Sequence, residues 1–500
     1  MVIQASQPSS ADPTYARGEP ASQPEKSKVE EELKKAAAHR TGPSCYYYYY
    51  YFNEGDPQNY SDELEMEMEQ GLLPVVNFPN KQVQVEEWKI EAQQFETDFG
   101  EMEMKIHRFP ASMRSLGRRY ILPMAVSIGL YHHGSSSLHE MEKVKRVATR
   151  HFISYSGRSF EEMYAAVFSV IGAARSFYDT KDSKVDVGDA EFADMMFIDG
   201  CFLLQYMLMC TGLGKLPPSL LSCFKSNEAC IINDIMLLEN QLPWMVVNIL
   251  RRFRSVPVEE FIGKMGRTLQ IRGDMHRRPV VMDASYMPPH LLAILLFYKA
   301  GGINNNVSLS VPDGFRSMSK SISAIELAEI GIKLTAGKTT KFMDTGIRKT
   351  FLSAEIFLAP LLLDDITSCW LVNMAAFEVC LGMAAGAHQS AAVVCSYLAV
   401  LAMLMDREED VHELRSKRLV QGELTNKETL DFFKTLVKCI SGGPLYVQIM
   451  EEVEAYKLNR WMWINVHQFV YKNFKAIVTV LSITGVLVGI FEAILSLKRY

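Results

Sequence analysis

The stretch AIVTVLSITGVLVGIF, Ala476 to Phe491, carries no charge, and past Glu492 the apolar character continues through Leu497. At about 1.5 Å of rise per helical residue this is long enough to cross the roughly 30 Å of hydrocarbon in a bilayer. Trp461, Trp463, Tyr471 and Phe474 precede it with Lys472 and Lys475 beside them, and Lys498 and Arg499 close the far side, as interfacial anchors do. The competing assignment is a C-terminal core helix, but such a helix is rarely apolar on every face. One transmembrane helix is therefore predicted over residues 476–497. The N-terminus shows no apolar core of signal-peptide length and few residues follow the span, so a single-pass, tail-anchored topology with the large domain in the cytosol is expected. Either the plasma membrane or an endomembrane fits that pattern.

Within the span, Ser482, Gly485, Gly489, Glu492 and Ser496 are spaced three, four, three and four, which places them on one helical face. Gly485 and Gly489 form the GxxxG pair that lets two backbones approach closely in lipid. A homodimer through this helix is the corresponding expectation, set against the fact that small residues are common in spanning helices anyway.

Moving toward the N-terminus, Cys369 to Met405 is hydrophobic enough to suggest a membrane hairpin. Glu378, His388 and Gln389 divide it, and its longest uninterrupted part, Ala391 to Met405, is shorter than the roughly 20 residues a spanning helix needs. It reads as buried helices of a soluble core. So do Ala190–Leu208 and Ile231–Leu250, which are apolar but broken by Asp199, Asp234, Glu239 and Pro243. Ser159 with Glu162, Ser323 with Glu326, and Thr425 with Glu428 have capping-box spacing and mark helix starts. After the last of these, Leu430, Phe433, Val437 and Ile440 are expected to form one buried stripe, with Gly442, Gly443 and Pro444 ending the helix.

Residues 1–70 are rich in Ser, Pro, Glu and Lys, with a tyrosine run at Tyr46–Tyr51 and an acidic stretch at Ser61–Glu69, and read as a disordered low-complexity tail. Residues 71–104 read as a linker or amphipathic lead-in, and 105–472 as one large domain. The expected fold class is mainly α: a helical globular domain with minor β or irregular content, a disordered N-terminal tail and one C-terminal transmembrane helix. Apolar residues make up 48% of the chain and the formal charge is -6 over 500 residues, which argues against a nucleic-acid partner. The basic clusters Arg251, Arg252, Arg254 and Arg272, Arg277, Arg278 lack interleaved aromatics and read as solvated faces. The nine cysteines lie mostly in apolar surroundings without a CxxC pair, which suits free thiols in a reducing compartment.

A set of motifs then sets the chain beside a known family. IHRFP (Ile106–Pro110), VSIGLYHHG (Val126–Gly134), FADMMFIDGCFLL (Phe192–Leu204), DIMLLENQLPW (Asp234–Trp244), AIELAEIGI (Ala324–Ile332), LLLDDIT (Leu361–Thr367) and NMAAFE (Asn373–Glu378) follow one another in an order that resembles the plant family called domain of unknown function 247. Leu130 stands where that family usually has Pro, and VHELRSKRLVQGELTN after Asp406 departs from its usual run. The resemblance implies an architecture with a C-terminal hydrophobic segment and no known activity. Some grass members are linked to pollen-side self-incompatibility recognition.

Chemistry finds little purchase. His132 and His133 adjoin each other, but no spacing sets two ligands with a carboxylate on one helical face, so a metal or other cofactor is not expected. Cys201 with Asp199 and one of these histidines is the one nucleophilic constellation that can be imagined, and a buried structural cysteine is the plainer reading. Glu239, Asn240 and Gln241 precede Pro243 and are expected to serve backbone groups left free by the broken helix rather than a ligand. No P-loop, Rossmann glycine pattern or serine-hydrolase elbow is present. The expectation is a non-enzymatic, membrane-anchored recognition or signalling protein with a protein or peptide partner. Its rival is a hydrolase-like enzyme built on Cys201, His132, His133 and Asp199.

Overall fold

Met, Phe and Leu occupy every side of Asp189–Cys210, so no face of that helix favours water and it becomes the hub on which others pack. The computed structural model describes residues 88–89, 104–179, 187–270, 286–301, 322–337, 339–350, 353–384 and 392–497. The expected tail at 1–70, nearly all of 71–104, the cluster Arg272, Arg277 and Arg278, the pair His388 and Gln389, and Lys498 and Arg499 lie outside them. In chain order the helices are α1 (His139–Ser154), α2 (Phe160–Phe168), α3 (Ile171–Arg175), α4 (Asp189–Cys210), α5 (Pro218–Ser226), α6 (Glu228–Asp234), α7 (Trp244–Arg251), α8 (Val258–Thr268), α9 (Leu291–Ala300) and α10 (Ala324–Glu329). A small β region follows, with β1 (Ile332–Ala336), β2 (Gly346–Lys349), β3 (Ala354–Leu358) and β4 (Leu361–Leu362). Then come α11 (Asp365–Ala384), α12 (Val393–Leu404), α13 (Glu408–Ser416), β5 (Val420–Gln421), α14 (Asn426–Leu436), α15 (Pro444–Asn459) and α16 (Trp461–Leu497). The fold is mainly α with few strands, as its composition and periodicity indicate.

Helices α1, α2 and α7 pack on α4. A second hub forms where α11 lies against α12, with α9 on both and α14 and α15 on α12. Trp370 and Tyr397, from these two helices, are completely buried, and the Tyr397 hydroxyl donates to the Ala359 carbonyl at 2.7 Å. The described parts of the hydrophobic stretch around Glu378 are thus packed in the protein core. In the three-stranded sheet β3 is central, parallel to β1 and antiparallel to β2, with Ile332 opposite Ala354. Ala354, Ile356 and Leu358 face inward on alternate positions, the period of two that a half-buried strand requires.

Three local expectations are corrected. The Ser323–Glu326 and Thr425–Glu428 capping boxes form in full, but at α2 only half does: Ser159 accepts the Glu162 N–H while the Glu162 carboxylate pairs with Arg158 at 3.2 Å instead. The buried positions are Thr429, Phe433 and Leu436 of α14 with Ile440 beyond its end, while Val437 is exposed and Leu430 only partly covered. The rotation follows from Arg415, which donates to the Thr429 hydroxyl at 3.1 Å and draws that residue inward. The helix also ends at Leu436, and Gly443 and Pro444 open α15 rather than closing α14. Proline suits a first helical position, and a Cβ at Gly443 would lie 2.6 Å from the Ala392 carbonyl oxygen, so glycine lets α15 start against α12.

Among the described residues, two helices are long and apolar enough to cross a membrane. One is α4, buried along nearly all its length and therefore a core helix. The other is the Gln468–Leu495 part of α16, which none of the described residues covers. At its start α16 is fastened to the domain: Ile464 is buried, Lys472 Nζ lies 3.2 Å from a Glu329 carboxylate oxygen, and Arg460, just ahead of it, donates to the Thr350 carbonyl at 2.8 Å.

Candidate functional site

Residues 106–134 contain only short 3-10 helices and turns, which satisfy some of their backbone groups and leave the rest in need of outside partners. Buried side chains of the motif segments supply them. The Asp234 carboxylate accepts the N–H groups of Met124, Ala125 and Val126 at 2.9, 2.7 and 2.9 Å. Asn240 accepts from Ile128 N–H at 2.7 Å and donates to the carbonyls of Val126 and Asp234. Gln241 donates to the Ile235 and Leu237 carbonyls and accepts from Leu292 N–H, tying the loop to α9. Glu239 accepts Phe109 N–H at 2.7 Å and faces Arg108, whose guanidinium lies 3.7 Å from the Tyr131 ring centroid. Asn373 of α11 accepts Leu238 N–H and donates to the Tyr120 carbonyl. Glu239, Asn240 and Gln241 are therefore backbone partners.

Two further charged groups sit deeper. Lys145 of α1 is completely buried and reaches Glu142 at 2.6 Å, Asp199 at 2.8 Å and the Ser127 hydroxyl at 3.1 Å. Burial works against its charge, but the Asp199 and Glu142 carboxylates outweigh this and hold the ammonium above the usual lysine range. Asp199 also accepts Gly129 N–H at 2.8 Å, so one carboxylate joins α1, α4 and the Val126–Gly134 loop. The sequence signal for Lys145 is its place between Met141, Ala148 and Phe152 on the inward stripe of α1, a polar residue where the period demands an apolar one.

Glu378 of α11 accepts the Val394 and Cys395 N–H groups at 2.9 and 2.8 Å and so caps the start of α12. Burial pushes its carboxyl up from 4.5 to about 7. Between those values the folded chain keeps the proton and the unfolded chain has released it. Its stabilising share is complete below pH 4.5 and is lost as pH rises through about 7, at about 1.4 kcal/mol per pH unit. Glu378→Gln should remove that slope. Urea unfolding of both proteins across the window checks this, and parallel profiles would refute it.

The residues of the nucleophilic constellation do not converge. Cys201 is completely buried, burial pushes its thiol far up, and it hydrogen-bonds to no histidine among the described residues. Asp199 serves Lys145 and Gly129. His132 lies 3.8 Å from Glu239, with burial lowering its pKa, and His133 lies 3.9 Å from Glu191. No group of three or more potential ligands for a metal ion occurs among the described residues. On α16, Ser482, Gly485, Gly489 and Glu492 are exposed, and a Cβ at either glycine would meet nothing within 4 Å. The Ser482 hydroxyl turns back to the Val478 carbonyl at 2.8 Å. The side chain of Ser496 lies outside the described residues.

Fold and polar lattice together define a mainly helical globular domain carried on a helix long and apolar enough to cross a membrane. The profile of DUF247, described as plant protein of unknown function, matches residues 106–488, and the chain belongs to that family. It is similar to the UPF0481 protein At3g47200 of Arabidopsis thaliana, 24% identical over 365 residues that cover 67% of this chain and 72% of the relative. A second Arabidopsis thaliana UPF0481 protein, At3g02645, is 25% identical over 171 residues, 34% of this chain and 31% of the relative. No solved structure matches.

Proposed function

We propose that this is a non-enzymatic, single-pass membrane protein whose helical domain recognises a protein or peptide partner at the bilayer surface. The observation that carries the reading is α16, an apolar helix of membrane length without protein cover, continuous with a segment fastened to the domain. The absence of enzyme chemistry in this reading is supported by the scatter of its candidates: Cys201 is buried without a histidine partner among the described residues, Asp199 is held by Lys145 and Gly129, and His132 and His133 face different carboxylates. A cytosolic position for the domain accords with Cys201, Cys369 and Cys395, held as buried free thiols. Pollen–stigma recognition is a narrower form of the same reading, supported only by the family resemblance.

A second reading, pairing through α16, is favoured by the open seam at Gly485 and Gly489. One experiment addresses both. Deleting residues 476–500 should move the protein from the alkali-resistant membrane fraction to the soluble one, and replacing Gly485 and Gly489 with Ile should keep it in the membrane while abolishing cross-linked dimers. A deleted chain that still resists alkaline extraction overturns the single anchor. Dimers that survive the double replacement overturn the pairing.

A further inference from the structure

Lys143, Arg146 and Arg150 are spaced three and four along α1 and share one exposed face. Among the described residues none has an ion-pair or hydrogen-bond partner, whereas nearby Arg158 pairs with Glu162 at 3.2 Å and Arg175 with Asp189 at 2.8 Å. Beside Arg146 and Arg150 an open groove of about 530 Å³ runs between α1 and α2 above Phe197 of α4. Its far wall is aromatic. Phe160 and Tyr164 stack with ring centroids 5.3 Å apart, and both meet Phe197 edge-on. The row extends to Phe168, 6.3 Å from Tyr164, and Phe160 and Phe168 are each 47% exposed. Asp194 also lines the groove, where its carboxylate accepts the Tyr164 hydroxyl at 2.8 Å and forms no ion pair with either arginine, so two cationic groups stand against one anionic one.

We infer that this groove docks an acidic segment of a partner protein, with carboxylates against Arg146 and Arg150 and a large apolar side chain over Phe197. The inference rests on the partner-binding reading above and narrows it to one face and one chemistry. Charge complementarity selects the occupant: guanidinium groups recognise carboxylates through paired N–H donors, and the adjoining aromatic wall asks for an apolar anchor on the same ligand. From Phe160 to Phe168 the exposed row spans about 12 Å at the helical rise. That is more than a small free acid covers, and it suits a peptide segment.

The test presents the full-length chain in lipid nanodiscs to a display library of short random peptides. The expected winners combine at least two carboxylates with Trp, Phe or Leu. Their affinity should fall by roughly 10- to 100-fold with Arg146→Glu plus Arg150→Glu, and recover for peptides carrying Lys in place of Glu and Asp. Phe160→Ala should weaken the same peptides, and Lys427→Glu, on α14, should not. Both arginines are exposed and unpartnered, so the reversed variant should keep the wild-type melting temperature. No enrichment, or winners insensitive to the reversal, overturns the inference. Self-association lost on reversal, without peptide enrichment, would assign the groove to a second copy and also overturn it. If the groove fails while proximity labelling around the anchored protein still marks a specific neighbour, the partner-binding reading stands alone. If no neighbour is marked, that reading falls and the groove assignment with it.

Discussion

Asp199→Leu is expected to destabilise the domain by about 3–5 kcal/mol, the cost of leaving a buried charge without its partner. The charge is that of Lys145, which is wholly buried and would keep only Glu142 and the Ser127 hydroxyl. The Gly129 N–H would lose its acceptor at the same time. Joint replacement of Lys145 and Asp199 by Leu should recover most of the loss, since an apolar pair of similar volume removes both desolvation penalties. Urea unfolding of the two variants decides the matter. A double variant no more stable than Asp199→Leu would show that the ion pair is not the source of the loss.

Gly129→Ala should be equally severe, for a steric reason. Gly129 has φ +74°, and a Cβ there would lie 2.2 Å from the Gln241 carbonyl oxygen and 2.3 Å from the Tyr178 hydroxyl. Those two atoms are themselves hydrogen-bonded at 2.8 Å, so neither can retreat without breaking the bond that holds Tyr178 over the loop. Gly134 provides the matched comparison, with the same φ of +74° and open space around it. Gly134→Ala should cost only the left-handed strain, about 1–2 kcal/mol, while Gly129→Ala adds the collision and should cost at least about 3 kcal/mol. Equal losses in thermal unfolding would mean that backbone strain alone, and not the close approach, fixes glycine at position 129.

What could be read from the sequence was whatever a single segment decides by itself. The Ala476–Phe491 stretch speaks for α16 because lipid demands apolar residues on every face at once. Pro243 announces irregular backbone, which is why Glu239, Asn240 and Gln241 could be read as its partners. Lys145 and Glu378 escaped because their significance lies in what surrounds them, and those surroundings come from elements far apart in the chain. The α14 stripe was misread by one position because Leu430 is the more hydrophobic choice, and only Arg415, from the preceding helix, turns Thr429 inward. The parallel pairing of β1 with β3 likewise depends on contacts that no local pattern records. In the groove, the spacing of Arg146 and Arg150 is visible in the sequence, but their want of partners is a property of space.

The unbroken course of α16 has a mechanical meaning. Its first residues grip the domain through Ile464 and the Lys472–Glu329 contact, and the same rod continues into the segment suited to the bilayer. No hinge separates the two. In the membrane-anchored form proposed above, a rotation of the rod about its own axis would become a rotation of the whole domain, and a change of tilt in the lipid would become a change in which face the domain turns toward the membrane. Membrane thickness and the company the rod keeps in the bilayer would act on the domain as torque and leverage, setting its bearing as a shaft sets the bearing of a vane.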